Sequence, residues 1–228
     1  MSKTLYTINT VNNFMGMIFE PFGKKFMAEN PDFKVLNIMD DGLLADTRTY
    51  GGMTPLIASR MYNYARAAQD SGADGILVTC TSVNKATKLI RPFLSVPILN
   101  IEEPVAEQAA ENGTRIGVLG TIPTSPKAIS DVIREKAAEK GKAITIVERV
   151  ADGAFDVLCA GDRERHDDMV RAELKRLAGE VDVIAFAQIS MSLLPFDGPG
   201  VPVYKIGDSG FARIREMIMD GGVNANGR

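Results

Sequence analysis

Two stretches of the chain read alike, and this likeness constrains the fold more than any other feature. Asp74-Gly-Ile-Leu-Val-Thr-Cys80-Thr-Ser82 aligns with Asp182-Val-Ile-Ala-Phe-Ala-Gln188-Ile-Ser190, with Asp, Ile and Ser at equal offsets. Val96-Pro97-Ile-Leu-Asn-Ile101 aligns in the same way with Val201-Pro202-Val-Tyr-Lys-Ile206. Hydrophobic strands resemble one another by chance, so a single match carries little. A series of matches in consistent order points to one βαβ-rich unit used twice.

Between these segments, short apolar runs alternate with longer helical patterns. Residues 5–10, 33–39, 74–80 and 96–101 read as strands, then residues 115–121, 144–150, 182–188 and 201–206. The runs at 74–80 and 182–188 are almost unbroken, as in strands covered on both faces of a parallel sheet. Helices are expected over 54–72, 81–94, 102–112, 125–141, 164–180 and 208–220. The first of these has Thr54 as its cap, Pro55 at its first position and Gly72 at its end. Residues 14–29 are interrupted by Pro21 and read as a loop leading into a helix. The terminal GGVNANGR reads as a frayed polar tail. Strands separated by helices imply parallel pairing through right-handed crossovers. The expected fold is α/β, with one half-domain from 1–98 plus 208–228 and a second from 99–207.

Composition removes several functions. The 228 residues hold 26 Lys and Arg against 29 Asp and Glu, a net charge of −3, with no tryptophan. That balance gives no footprint for nucleic acid or an anionic membrane. No apolar run is long enough to cross a bilayer, and residues 1–13 lack the apolar core of a signal peptide. A cytoplasmic protein is expected. Two cysteines and one histidine exclude a cysteine-only zinc site, a disulfide scaffold and histidine-cluster metal sites, so no metal is expected. The segment LGTIPTSP has one glycine and two prolines and matches neither a Walker loop nor a dinucleotide fingerprint.

In an open parallel sheet, ligands bind beyond the carboxyl ends of the strands. That rule selects Asn9-Thr10, Cys80-Thr81-Ser82, Thr121 to Ser125, and Gln188-Ile189-Ser190. The repeat makes Cys80 and Gln188 equivalent. A cysteine between a buried strand and a helix start is favoured as thiolate, and Thr81 and Ser82 add hydroxyls and N–H groups able to hold an anion. The competing reading of Cys80 is a small buried hydrophobe. Cys159 reads as a structural cysteine. His166, among Arg163, Glu164, Arg165, Asp167 and Asp168, reads as a solvated helix residue, which leaves a Ser-His-Asp triad without support. Glu102-Glu103 reads as a helix start rather than an acid/base pair. Met15, Met17, Met27, Met53 and Met61 read as core packing before pocket lining.

The tandem halves, Asn9-Thr10, D-G-I-L-V-T-C-T-S, V-P-I-L-N-I-E-E and R-I-G-V-L-G-T together resemble the aspartate/glutamate/hydantoin racemase superfamily, which also holds maleate isomerase and arylmalonate decarboxylase. The resemblance implies two pseudo-symmetric Rossmann-like domains with mainly parallel sheets, a site in the cleft between them, and catalysis without pyridoxal phosphate, metal or other cofactor. By analogy it implies a homo-oligomer. The racemases of this group use one cysteine from each half. Cys80 matches the first, Thr81 and Ser82 match the carboxylate-holding positions beside it, and Asn9 and Thr121 match polar residues at the first strand end of each half. The second cysteine's place is taken by Ala187-Gln188-Ile189, and an amide has no accessible proton chemistry. The superfamily's one-cysteine decarboxylase keeps its cysteine in the other half. The resemblance therefore implies a cofactor-independent isomerase or racemase-like enzyme on a small carboxylate, an amino acid or dicarboxylate. Cys80 is its base or nucleophile, with Asn9, Thr10, Thr81, Ser82, Thr121, Gln188 and Ser190 on the substrate. A single-cysteine decarboxylase or lyase and a non-catalytic carboxylate-binding protein remain as alternatives.

Overall fold

The apolar runs assemble into two separate four-stranded sheets in a computed structural model that describes residues 2–221. In the first sheet β1 (Lys3–Asn9), β2 (Phe33–Met39), β3 (Gly75–Val78) and β4 (Ile98–Asn100) lie in the order β2-β1-β3-β4. In the second, β5 (Arg115–Gly120), β6 (Thr145–Val150), β7 (Val183–Phe186) and β8 (Val203–Tyr204) lie in the order β6-β5-β7-β8. Every pairing is parallel, because each return passes through helical structure.

The two sheets repeat one pattern down to single hydrogen bonds. Ile8 is in register with Val78, and Leu119 with Phe186. Pro97 accepts from the Ile76 N–H at 2.8 Å, and Pro202 accepts from the Ile184 N–H at 2.9 Å. The sequence phrases that align thus occupy the same places in the two sheets. Chain contacts define a first unit of residues through Ile101 with the chain from Gly207 onward, and a second unit of Glu102–Ile206.

In the first unit, the helices are α1 (Lys24–Glu29), α2 (Gly42–Thr49), α3 (Pro55–Asp70) and α4 (Asn84–Ile90). Thr54 caps α3 by accepting the Ile57 N–H at 3.3 Å, with Pro55 at the first position. Ile57, Met61 and Ala65 of α3 and Ala86 and Ile90 of α4 cover one sheet face, against Ile8, Ile76, Val78 and Ile98. Each fully covered large aliphatic side chain there contributes about 1.5–3 kcal/mol relative to exposure. Phe26 of α1 packs on Phe33 of β2, with ring centroids 5.2 Å apart.

The second unit carries α5 (Glu103–Asn112), α6 (Ser125–Glu139), α7 (Ala154–Cys159) and α8 (Arg163–Ala178). Val170, Leu174 and Leu177 of α8 cover Leu119, Ile184 and Phe186. The last helix, α9 (Asp208–Met219), belongs to the first unit.

Three local expectations are corrected. Residues 14–29 form no loop: π-helical turns over Met15–Gly23 run directly into α1. The wider turn, closed by Lys24 N–H to Phe19 carbonyl, carries Pro21 where an α-helix would clash. The chain between β2 and α3 also contains α2, which has no side-chain cap and buries only Leu43 and Thr47. Of the methionines, Met61 is in the core, whereas Met15 and Met53 are exposed. The expected tail falls, from residue 222 on, outside the described residues. No helix among the described residues is long and apolar enough to cross a membrane.

Candidate active site

The strand order puts a switch point in each unit, the place where α/β sheets bind ligands. Connections leave β1 in one direction to reach β2 and return past it to β3, so the helices on either side separate beyond the carboxyl ends of β1 and β3. The equivalent place in the second unit lies beyond β5 and β7.

In the first unit that position holds Asn9, Thr10, Thr79 and Cys80. A hydrogen-bond chain ties the strand ends together. Thr79 Oγ1 donates to Asn9 Oδ1 at 2.8 Å, Asn9 Nδ2 donates to Thr7 Oγ1 at 2.8 Å, and Thr7 Oγ1 donates to Asn37 Oδ1 at 2.7 Å. Asn9 Nδ2 also donates to the Ile38 carbonyl at 3.2 Å. Both amide hydrogens of this fully buried residue are therefore used inside the sheet. Asn9 thus fixes the strand end. Thr10 follows it, 1% exposed, with a hydroxyl that has no hydrogen-bond partner. Cys80 is a free, half-buried cysteine in extended conformation. Thr81 and Ser82 open a 3-10 turn over Thr81–Val83 that leads into α4, with Thr81 half-buried and Ser82 exposed.

A charged cluster absent from the sequence reading stands at the end of β2. Arg60 of α3 bridges Asp40 and Asp46, and Tyr64, one turn further on, donates to Asp40 at 2.7 Å. Burial pushes the Asp40 carboxyl up, but the Tyr64 hydroxyl and the Arg60 guanidinium outweigh it and leave it below its ordinary value. The Tyr64 phenol is raised, chiefly by its hydrogen bond to Asp40. The strand-end rule applied to β2 would have selected Asp40.

In the second unit the chemistry differs. Gln188 Oε1 accepts from the Thr121 N–H at 2.6 Å, the Thr121 hydroxyl at 2.9 Å and the Ser125 hydroxyl at 2.9 Å. Ser125 also lies 2.8 Å from the Ile122 carbonyl, so its one proton is shared between two acceptors. Three donors on one oxygen fix the carboxamide with its oxygen inward and its NH2 outward. Gly120 makes the cup: a Cβ there would lie 2.6 Å from Ser125 Oγ and 2.9 Å from Pro126 Cδ. Only glycine lets α6 start this close to β5. Thr121, Ser125 and Gln188 thus come together as the strand-end rule expects. Ser190 is buried, its hydroxyl without a partner and its carbonyl accepting from Arg163 Nη1 at 3.1 Å.

The remaining candidates separate. Cys159 is exposed at the end of α7. Glu102 and Glu103 open α5, as the helix-start reading has it. His166 overturns its reading: it is 0% exposed rather than solvated. It shares the buried stripe of α8 with Val170, Leu174 and Leu177, at positions that the charged residues around it disguise. Among the described residues, no group of three or more His, Cys, Asp or Glu side chains could hold a metal ion.

Comparisons with known proteins agree with this architecture. An allantoin racemase from Klebsiella pneumoniae superposes with a TM-score of 0.69 at 16% identity, over 98% of this chain and 91% of that one. An aspartate racemase homologue from Pyrococcus horikoshii superposes with a TM-score of 0.70 at 16% identity, over 96% of this chain and all of its own, 100%. Likeness at such identity shows the fold. A 4-hydroxy-tetrahydrodipicolinate synthase from Methanospirillum hungatei is 28% identical over 123 residues, 49% of this chain; the chain thus spans less than half, 42%, of that curated relative. The family model for Asp/Glu/hydantoin racemases matches residues 53–206, from the start of α3 through β8, and the chain belongs to that family.

Proposed function

We propose that the chain is an enzyme that moves a proton on a small carboxylate without a cofactor, an isomerase or racemase in kind, with Cys80 as the reacting group. The observation that carries this reading is the pairing of two groups at neighbouring strand ends. Cys80 is a half-buried free thiol beyond β3, and Thr10 is a buried hydroxyl without a partner beyond β1. A buried hydroxyl left unpaired costs about 1–3 kcal/mol, a cost that a ligand oxygen would remove. Family membership and the racemase folds support the reaction class.

In this reading the substrate carboxylate accepts hydrogen bonds from Thr10 and from the hydroxyl and N–H groups of Thr81 and Ser82. The Cys80 thiolate takes the proton from the adjacent carbon, and the electron pair left behind spreads into the carboxylate as an enediolate. Donors already aimed at that oxygen stabilise the charge as it develops. A proton returned by the thiol to the same face gives exchange with solvent, and one delivered by water to the opposite face gives the inverted product. Asn9 acts through Thr79 and β2 as a positioning residue, and in the second unit Gln188 offers its outward NH2 to a ligand oxygen of its own.

The test is proton exchange in deuterated water, followed by NMR. The panel is D- and L-aspartate, D- and L-glutamate, allantoin and phenylmalonate. At least one compound is expected to exchange, and Cys80→Ser is expected to lower its rate 100-fold or more without loss of fold. Full activity in Cys80→Ser would refute the assignment of Cys80. Binding of a panel compound with no exchange at all would make the protein a carboxylate binder.

A further inference from the structure

The first unit holds a cavity that the proposed reaction leaves unused. It lies between α1 and α9 and has a volume of about 280 Å³. Ligand pockets span roughly 300–1,000 Å³, so this one suits a molecule of amino-acid size. Asp208, Phe211 and Arg215 recur at helical spacing and give the lining face of α9, and Lys25, Phe26 and Glu29 give that of α1. Phe26 and Phe211, both buried, pack at 5.4 Å between centroids and form an apolar wall.

The charges are arranged along this trough. Lys25 Nζ donates to Asp208 Oδ2 at 2.8 Å and closes the end where both helices begin. That pair and the two rings set α1 and α9 side by side, start to start. Arg215 lies two turns beyond Asp208, about 10 Å along the axis, and Glu29 one turn beyond Lys25. From Glu29 the chain passes into the start of β2, so this end of the cavity is at the amino edge of the parallel sheet, opposite the strand ends that carry Cys80. With Lys25 and Asp208 neutralising each other, one cation and one anion remain here. Arg215 is half-buried, and its Nε is buried without a hydrogen-bond partner. Glu29 is exposed and acts on Lys25 through its field alone. Neither is ion-paired with a described residue. A guanidinium partly withdrawn from water with an unmet donor is destabilising, and a carboxylate satisfies its planar fork through two parallel hydrogen bonds.

We propose that this cavity is a second ligand site, for a free α-amino acid with an apolar side chain. The ligand carboxylate meets Arg215, its ammonium meets Glu29, and its side chain lies along Phe26 and Phe211 toward the Lys25–Asp208 pair. An α-amino acid carries both charges on one carbon, which matches two opposite charges at one end of an apolar trough. A simple anion would leave Glu29 facing a like charge, and a simple amine would leave Arg215 without a partner. Binding here is non-covalent and takes nothing from Cys80, so it stands independently of the proposed reaction.

The test is calorimetric titration of the full chain with L-leucine and L-phenylalanine. Saturable binding of at least one is expected. Phenylacetate and phenethylamine, which each lack one of the charges, should bind about ten-fold or more weakly than L-phenylalanine. Arg215→Gln and Glu29→Gln should each weaken amino-acid binding by about ten-fold or more, with thermal unfolding curves showing that both variants are folded. No saturable binding of either amino acid would overturn the proposal, and so would phenylacetate binding as tightly as L-phenylalanine. Binding that is unchanged in both variants, while the amino acid slows alkylation of Cys80, would put the ligand at the strand ends and overturn it as well.

Discussion

Asp74 and Asp182 hold the same place in the two units, each just before the strand that ends in the candidate residue. Asp74 Oδ2 accepts the Thr4 N–H at 2.7 Å, and Asp182 Oδ2 accepts the Thr114 and Arg115 N–H groups at 2.9 and 2.8 Å. Each carboxylate thereby pins the amino end of the neighbouring central strand, β1 or β5. Lys3 adds an ion pair to Asp74 at 2.9 Å.

This pairing predicts an acid limb of stability. Burial pushes Asp74 up, but the Thr4 N–H and Lys3 outweigh it and leave the carboxyl below its ordinary value. The Arg115 and Thr114 N–H groups hold Asp182 low as well. A carboxyl depressed on folding stabilises fully above its unfolded value, about 3.9, and loses that contribution as pH falls through the folded one. Urea denaturation at pH 6 and pH 3 should show stability falling toward acid. In the double variant Asp74→Asn, Asp182→Asn the fall should be shallower, and equal slopes would remove the argument.

Thr10→Val separates fold from function. The change replaces a buried hydroxyl that has no partner by a methyl of the same shape, which is neutral or stabilising for the fold. Ligand affinity should fall nonetheless, by ten-fold or more for any panel carboxylate. A melting temperature lowered by several degrees would mean that the hydroxyl has a structural partner.

Gln188→Glu keeps the size of the side chain and its inward oxygen. The Thr121 and Ser125 donors that hold the carboxamide can hold a carboxylate at least as well. Stability should be unchanged or higher. The outward NH2 becomes an anionic oxygen, so binding of carboxylates should weaken at least ten-fold. Unaltered affinity would mean that Gln188 does not face the ligand.

Arg60→Ala should be costly out of proportion to its exposure. It leaves Asp40 and Asp46 facing one another without the cation between them. A loss of about 1–3 kcal/mol at pH 7 is expected from denaturant titration. Tyr64→Phe should cost less, because Arg60 remains on Asp40.

Much of this arrangement is legible in the residues. The duplication is visible because strands covered on both faces must be apolar, so β3 and β7 write the same phrase. Their ends mark the candidate site by topology alone. α2 is hidden because Gly42 opens it and it shows neither a cap nor an apolar stripe. His166 is hidden because Arg163 to Asp168 look solvated, although His166, Val170 and Leu174 lie one helical turn apart on one face. The inward turn of Gln188 depends on Thr121 and Ser125 meeting one oxygen, and spacing along the chain does not encode that distance.

The order in which the chain emerges during synthesis follows from the place of α9. Phe211 of α9 packs on Phe26 at 5.4 Å between centroids, and a Cβ at Gly75 in β3 would lie 2.7 Å from Ile218. The second unit is one continuous segment and can close on the ribosome once residue 206 is free. The first unit starts earlier yet waits for α9 to cover β3, so the half that carries Cys80 is the later of the two to mature. A released fragment that stops before residue 208 would hold a finished second unit and an open, protease-sensitive first one.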